Sequence, residues 1–236
     1  MRPMMLPVLW MLLICPDFLF AGSPYNDTLG IVAVTDFEID GKGSNTQWEK
    51  TSWVSLVQID SGVTGYDSRF KMLYSPKGIY VLFFGKDKKI TSPYQNDFDD
   101  LYNGDVFEVF FHTNPLVPLY FEYEISANNK ELVLLMPNLD GKIWGWRPWN
   151  YEAGRKVIKK VQVVKGKKGM EAWTAECFFP YELFQPLQQV PPVKGTYWNA
   201  NFCRLDYDSG KMIKWSWSPV KVSFHEINVY RTIQFR

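Results

Sequence analysis

Short runs of Val, Ile, Phe, Tyr and Trp recur from residue 29 to residue 235, each closed off by Gly, Pro, Asn or Asp, and almost nothing repeats at the helical period. β-Branched and aromatic side chains suit a pleated, half-buried surface, so this punctuation specifies an all-β chain, a sandwich or a barrel. Strands are expected over 29–34, 68–74, 79–85, 105–112, 119–127, 132–136, 157–164, 171–179, 197–207, 213–217 and 231–235. Within "FKMLYSPKGIYVLFF", Pro76, Lys77 and Gly78 supply the turn of a hairpin. Pro180 suits the first position of one helical turn at "PYELF".

The chain begins with Met1 and Arg2, an apolar run from Leu6 to Cys15, and small residues at Ala21 and Gly22. This is the pattern of a secretory signal peptide, expected to span 1–21, with export to the periplasm, the cell surface or the medium. Residues 22–236 are expected to form a single domain. No later apolar run approaches the roughly twenty residues of a membrane-spanning helix. A formal charge of +1 gives no field that would draw nucleic acid or a membrane surface. Export would make the Asn26-Asp27-Thr28 sequon meaningful in a glycosylating host. The lysines of "GRKVIKKVQVVKGKKG" read as guards of an exposed sheet edge. Cys177 and Cys203 lie in apolar strands, buried as thiols or, if their strands are neighbours, joined.

Enzymatic signatures are missing. There is no phosphate loop, CxxC, HExxH or GxSxG, and His112 and His225 have no partners at metal-ligand spacing. Asp97, Asp99, Asp100, Asp105 and Glu108 cluster, and Glu122 and Glu124 share a strand face opposite Phe121, Tyr123 and Ile125. Paired carboxylates can hydrolyse glycosides; crowded acids in a loop can equally be structural or hold calcium through oxygen.

Ten tryptophans, nine of them beyond residue 21, exceed what the core of such a domain is expected to need. Trp53 and Trp173 sit in strand-like contexts. Trp144, Trp146 and Trp149 fall instead in "GKIWGWRPWN", a loop by its glycines, proline and asparagine. An indole there offers an apolar face and a wet N–H, suited to the flat C–H face of a pyranose; capping of the sandwich is the other use.

The segment "YNGDVFEVFFHT" (102–113) follows "GIYVLFFGKD" and "IDGKGSNTQWEKTSWVSL", and precedes "MEAWTAECFFPYELF" and "GTYWNANFCRLDYDSGKMIKWSWSPV". In this order the chain resembles the family 9 carbohydrate-binding modules, which in turn look like DOMON-type domains. The resemblance implies an antiparallel β-sandwich of the jelly-roll or immunoglobulin-like kind without catalytic residues, binding xylan- or cellulose-type oligosaccharides beside a glycoside hydrolase partner, often with a structural Ca²⁺ bound elsewhere. It implies a sugar held between two aromatic walls. Tyr102 takes the first, where the family has tryptophan; Glu108, Asn201 and Arg204 are the polar partners, and Trp144, Trp146 or Trp149 supply the second wall. The DOMON likeness carries an alternative, haem held by His112, His225 or a methionine such as Met72, Met136, Met170 or Met212. A small glycosidase using Glu108 is the remaining alternative.

Overall fold

The computed structural model describes residues 28–60, 65–139, 141–149, 151–166, 171–208 and 210–236. The expected signal peptide, the start of the sequon and Met170 lie outside these residues. Every strand expected from the sequence is present, within a few residues at each end: β1 (Leu29–Ala33), β4 (Ser68–Tyr74), β5 (Gly78–Asp87), β6 (Val106–His112), β7 (Leu119–Ser126), β8 (Glu131–Leu139), β11 (Ile158–Lys165), β12 (Glu171–Pro180), β13 (Tyr197–Asp206), β14 (Ile213–Ser216) and β15 (Arg231–Phe235). Four two-residue strands carry too little pattern to be read in advance: β2 (Val54–Ser55), β3 (Val57–Gln58), β9 (Lys142–Ile143) and β10 (Arg147–Pro148). The turn after β12 is a 3₁₀ turn over Tyr181–Phe184, with Pro180 as its cap rather than its first residue. The fold is all-β, and no α-helix occurs among the described residues.

The strands build a sandwich. One sheet, the front, runs β10-β8-β7-β6-β13-β15-β1; the other, the back, runs β1-β4-β5-β12-β11. β1 belongs to both. Leu29 and Ile31 pair with Ile233 and Phe235 of β15, while Val32 and Ala33 pair with Leu73 and Tyr74 of β4. Both of these pairings are parallel, against the antiparallel pairing of the other strands. At the far side of the back sheet, β11 pairs only β12 in the strand order, so the lysine-rich segment does form an edge.

Alternate residues of each strand meet between the sheets. Phe70 of β4 stacks on Phe202 of β13 at 3.8 Å between ring centroids, and Phe83 of β5 on Phe107 of β6 at 4.6 Å. Trp173, Trp198, Trp215 and Trp217 join this core, so tryptophan is used in the interior more heavily than its count suggested. Cys177 faces the same core, whereas Cys203 packs on the outer face of the front sheet, and both are free thiols.

The two outer faces are covered to different extents. The back sheet is wrapped by residues 34–50, where Ile39 and Trp48 pack on Leu73, Tyr80 and Leu82. Glu176 of β12 points outward there. One of its carboxylate oxygens accepts from the backbone N–H groups of Asp40, Gly41 and Gly43 at 2.9, 2.7 and 3.3 Å, the other from Trp48 Nε1 at 2.7 Å. The loop closes this tightly because Gly41 and Gly43 adopt φ of +83° and +69°, a left-handed backbone that favours glycine. The front sheet's outer face is covered only in part, by Val220, Phe224, Ile227 and Tyr230 against Phe110, Tyr120 and Cys203. The uncovered part is a cavity.

Candidate functional site

The cavity, about 360 Å³, opens on the outer face of the front sheet. Its floor is set by strand alternation: Glu108 from β6, Glu122 and Glu124 from β7, Leu132, Leu134 and Met136 from β8, and Leu205 from β13. Three polypeptide segments rise around it, beside Met212 and Lys214 at the start of β14. The first is the 3₁₀ turn Leu101–Asn103, whose Leu101 is buried against the sheet and leaves Tyr102 at the rim beside Asp100 and Phe98. The second is the loop after β8, contributing Ile143, Trp146 and Pro148; the third brings Val222 to His225.

The tryptophan loop is partly a sheet edge. β10 pairs with Leu134 and Leu135, and the Trp149 N–H donates to the Val133 carbonyl at 2.8 Å. This separates the three indoles. Trp146 lines the cavity and is 61% exposed. Trp144 is as exposed but stands apart, with the Lys142 ammonium 4.3 Å above its ring. Trp149 turns toward the sandwich core and donates from Nε1 to the Leu183 carbonyl at 2.7 Å.

Of the polar residues read from the sequence, Glu108 reaches the cavity, and Asn201 and Arg204 do not. Asn201 Oδ1 accepts from the Phe202 and Ser218 N–H groups and the Ser216 hydroxyl, which fastens residues 216–218 to β13. Arg204 has the opposite parity from Leu205 and is fully buried between the sheets. It donates to the Ser68 hydroxyl, the Lys86 carbonyl and the carboxylates of Asp87 and Asp206 at 2.6–3.0 Å. It ties the front sheet to β4 and β5, and a ligand on the outer face cannot touch it.

The loop acids also divide. Asp97 and Asp105 accept backbone N–H groups, from Glu131 at 3.0 Å and Tyr207 at 2.7 Å, and serve the fold. Asp100 lines the cavity. Beneath it, Glu108, Glu122 and Glu124 are 3%, 4% and 1% exposed. Glu108 and Glu124 are directly opposed in the β6–β7 ladder, and Glu122 follows on the same face. Burial raises all three above the usual carboxylate range, Glu122 to about 8, and mutual repulsion adds to the rise at Glu108 and Glu124. One oxygen each of Glu122 and Glu124 is buried with no hydrogen-bond partner. His225 is hydrogen-bonded through Nδ1 to the Tyr120 hydroxyl at 2.7 Å, and burial lowers its pKa to about 4, so it is neutral near pH 7. Sequence reading had placed Glu122 and Glu124 on one face. It missed them as site residues because their proximity to Glu108 depends on strand register, which local pattern does not reveal.

Residues 39–134 match the family described as carbohydrate family 9 binding domain-like. The matched segment supplies the floor glutamates and Tyr102; Trp146 and His225 lie beyond it. No curated protein matches the chain. Among solved structures, a protein from Bacteroides uniformis ATCC 8492 described as a candidate carbohydrate-binding protein superposes with a TM-score of 0.73 at 15% identity, covering 89% of this chain and 99% of that one. A family 9 carbohydrate-binding module from Caldicellulosiruptor kristjanssonii, in complex with cellotriose, gives 0.63 at 14% identity over 89% and 94%. The same organism's module with glucose gives 0.60 at 16% identity over 88% and 95%. The fold is thus that of the family 9-like binding domains.

Haem ligand candidates fall on both sides of the sheet: His225, Met136 and Met212 line the cavity, Met72 is in the core, and His112 is hydrogen-bonded to the Val117 carbonyl at 2.8 Å. For calcium, the best donor set is Asp87, Asp206 and Asp208, whose carboxylate oxygens lie within 4.8 Å of one another. These are hard oxygen donors of the kind calcium takes. Arg204 neutralises one of their charges, and burial with the remaining repulsion pushes Asp206 up to about 6 and neighbouring Asp105 to about 7.

Proposed function

We propose that this chain is an exported saccharide-binding domain that does not itself cleave its ligand. The observation that carries the reading is the pairing, in one apolar cavity, of two exposed aromatic side chains, Tyr102 and Trp146, with a floor of buried carboxyls. Aromatic faces and a few convergent polar groups are what a sugar ring needs for stacking and orientation. The family 9-like match supports the same reading, and the relatives solved with cellotriose and glucose make plant-type oligosaccharides the first ligands to try. Association with a glycoside hydrolase is part of the proposal, as is a structural calcium ion held by Asp87, Asp206 and Asp208 beside Arg204.

Titration with soluble oligosaccharides, followed by tryptophan fluorescence, is expected to give a saturable shift that Trp146→Ala removes. No reducing ends should appear on prolonged incubation, and haem addition should produce no Soret band. A flat response across neutral and charged saccharides would reject saccharide binding. Calcium is expected to raise the melting temperature relative to EDTA, and Asp208→Asn to reduce that rise; equal melting curves would remove the ion from the proposal.

A further inference from the structure

The cavity floor is unusual for a site that binds only neutral sugar. Three carboxyls crowd one sheet face among Leu132, Leu134, Met136 and Leu205. Like charges set opposite each other on a ladder are destabilising, and a buried carboxyl oxygen without a partner is costly. The groups facing these acids offer little relief. From the rim comes Asp100, a further acid, with Tyr102; from the sheet, Tyr120 and Cys203; from the C-terminal segment, Tyr230 and His225. His225 Nδ1 stands 3.7 Å from Glu122, and burial holds the ring neutral. The basic residue lining the cavity, Lys214, has its ammonium 3.7 Å from Asp60. The fold therefore brings at least four acids to this cavity against one lysine that already has a partner.

The contrast with Glu176 shows that this chain can satisfy a buried outward glutamate when structure alone requires it. At the front sheet it leaves Oε2 of both Glu122 and Glu124 buried without a hydrogen-bond partner, in two side chains that line the cavity. The missing partner is a cationic donor. Sugar hydroxyls could reach such oxygens, but they bring no charge; an ammonium brings three N–H donors in one small group, and its charge favours loss of the proton that burial keeps on these carboxyls. The aromatic rim favours a cation as well as a sugar ring.

We infer that the cavity selects a saccharide bearing a free amino group, with the ammonium seated on Glu108, Glu122 and Glu124 and the ring against Tyr102 and Trp146. The inference rests on the saccharide reading and narrows it to amine-bearing hexoses. N-Acetylation removes the charge, so the acetylated sugar is a poor ligand.

The test is calorimetric titration at about pH 6, where a sugar amine is charged, with glucosamine oligomers, N-acetylglucosamine oligomers and cello-oligosaccharides of equal length, each in EDTA and again with calcium. Glucosamine oligomers are expected to bind at least about tenfold more tightly than either neutral series, with or without calcium. Glu122→Gln should abolish most of that preference while Trp146→Ala weakens every saccharide that binds; Glu124→Gln serves if the first variant does not melt cooperatively. Equal or tighter binding of the neutral series would overturn the inference and leave saccharide binding intact. Spermidine binding as tightly as the amino sugar would overturn it too, since the ring would then contribute nothing. Absence of binding by all three series would defeat both readings together.

Discussion

The two outer faces of the sandwich each bury outward-pointing glutamates, and they treat them in opposite ways. On the back sheet, Glu176 is enclosed by a glycine-containing loop and an indole that between them supply four N–H donors. On the front sheet, Glu122 and Glu124 each keep a buried oxygen without a partner under an open cavity. Burial alone does not distinguish these residues, and it raises the pKa of all of them. What separates a structural carboxyl from one available to a ligand is whether the fold supplies its hydrogen bonds.

The largest effect should come from exchanging the two environments. Glu176→Ala strands the Trp48 N–H and several backbone donors and is expected to cost about 3–4 kcal/mol in urea unfolding. Glu122→Gln removes a repelled carboxyl and should cost less than about 1 kcal/mol, or stabilise above neutral pH. Similar losses for both would erase the distinction drawn between the faces.

The pH dependence of stability sharpens the same contrast. Glu122, at about 8 when folded against an ordinary 4.5, keeps its proton on folding while the unfolded chain loses it. Its contribution is thus fully present below pH 4.5 and is lost as pH rises through 8. Asp105, at about 7, acts in the same direction. His225, lowered from 6.5 to about 4, acts oppositely, but only below 6.5. Between pH 7 and 8 the ligand-free protein should therefore become less stable, with a limiting slope of about 1.4 kcal/mol per pH unit for each proton. Glu122→Gln should flatten that slope, and an unchanged slope would place the responsible acid elsewhere.

The tryptophan loop gives the smallest and most local test. Trp146→Ala is expected to weaken saccharide binding by about 1–3 kcal/mol with little change in melting. Trp149→Phe, which loses the bond to the Leu183 carbonyl, should cost about 1 kcal/mol of stability and leave affinity unchanged. Crossed results would mean that the roles of the two indoles have been assigned the wrong way round.

These two indoles also show where sequence reading stops. Strand positions were legible because β-branched and aromatic runs alternate with turn residues. So was the division of β7 into Phe121, Tyr123 and Ile125 on one face and Glu122 and Glu124 on the other. Which face looked inward was harder, because β6 is buried along its whole length on both sides. Trp146 and Trp149 share one loop in the sequence; only the pairing of β10 with β8 turns the second into the core. Arg204 reads as a polar partner of the sugar because nothing near it in the sequence reveals its own partner, Asp87, 117 positions away. A salt bridge between sheets leaves no local periodicity to detect.

The double membership of β1 has a mechanical corollary. Because β1 runs parallel to β15, a pull directed outward from the start of β1 and the end of β15 would slide these strands along each other. Their ladder bonds would be loaded together rather than opened one at a time. The same strand also grips the back sheet through Val32 and Ala33, so slippage there would disturb both sheets at once. A domain tethered through these two strands, and tugged by a ligand fixed to a solid matrix, would meet that force with a seam that must shear rather than unzip.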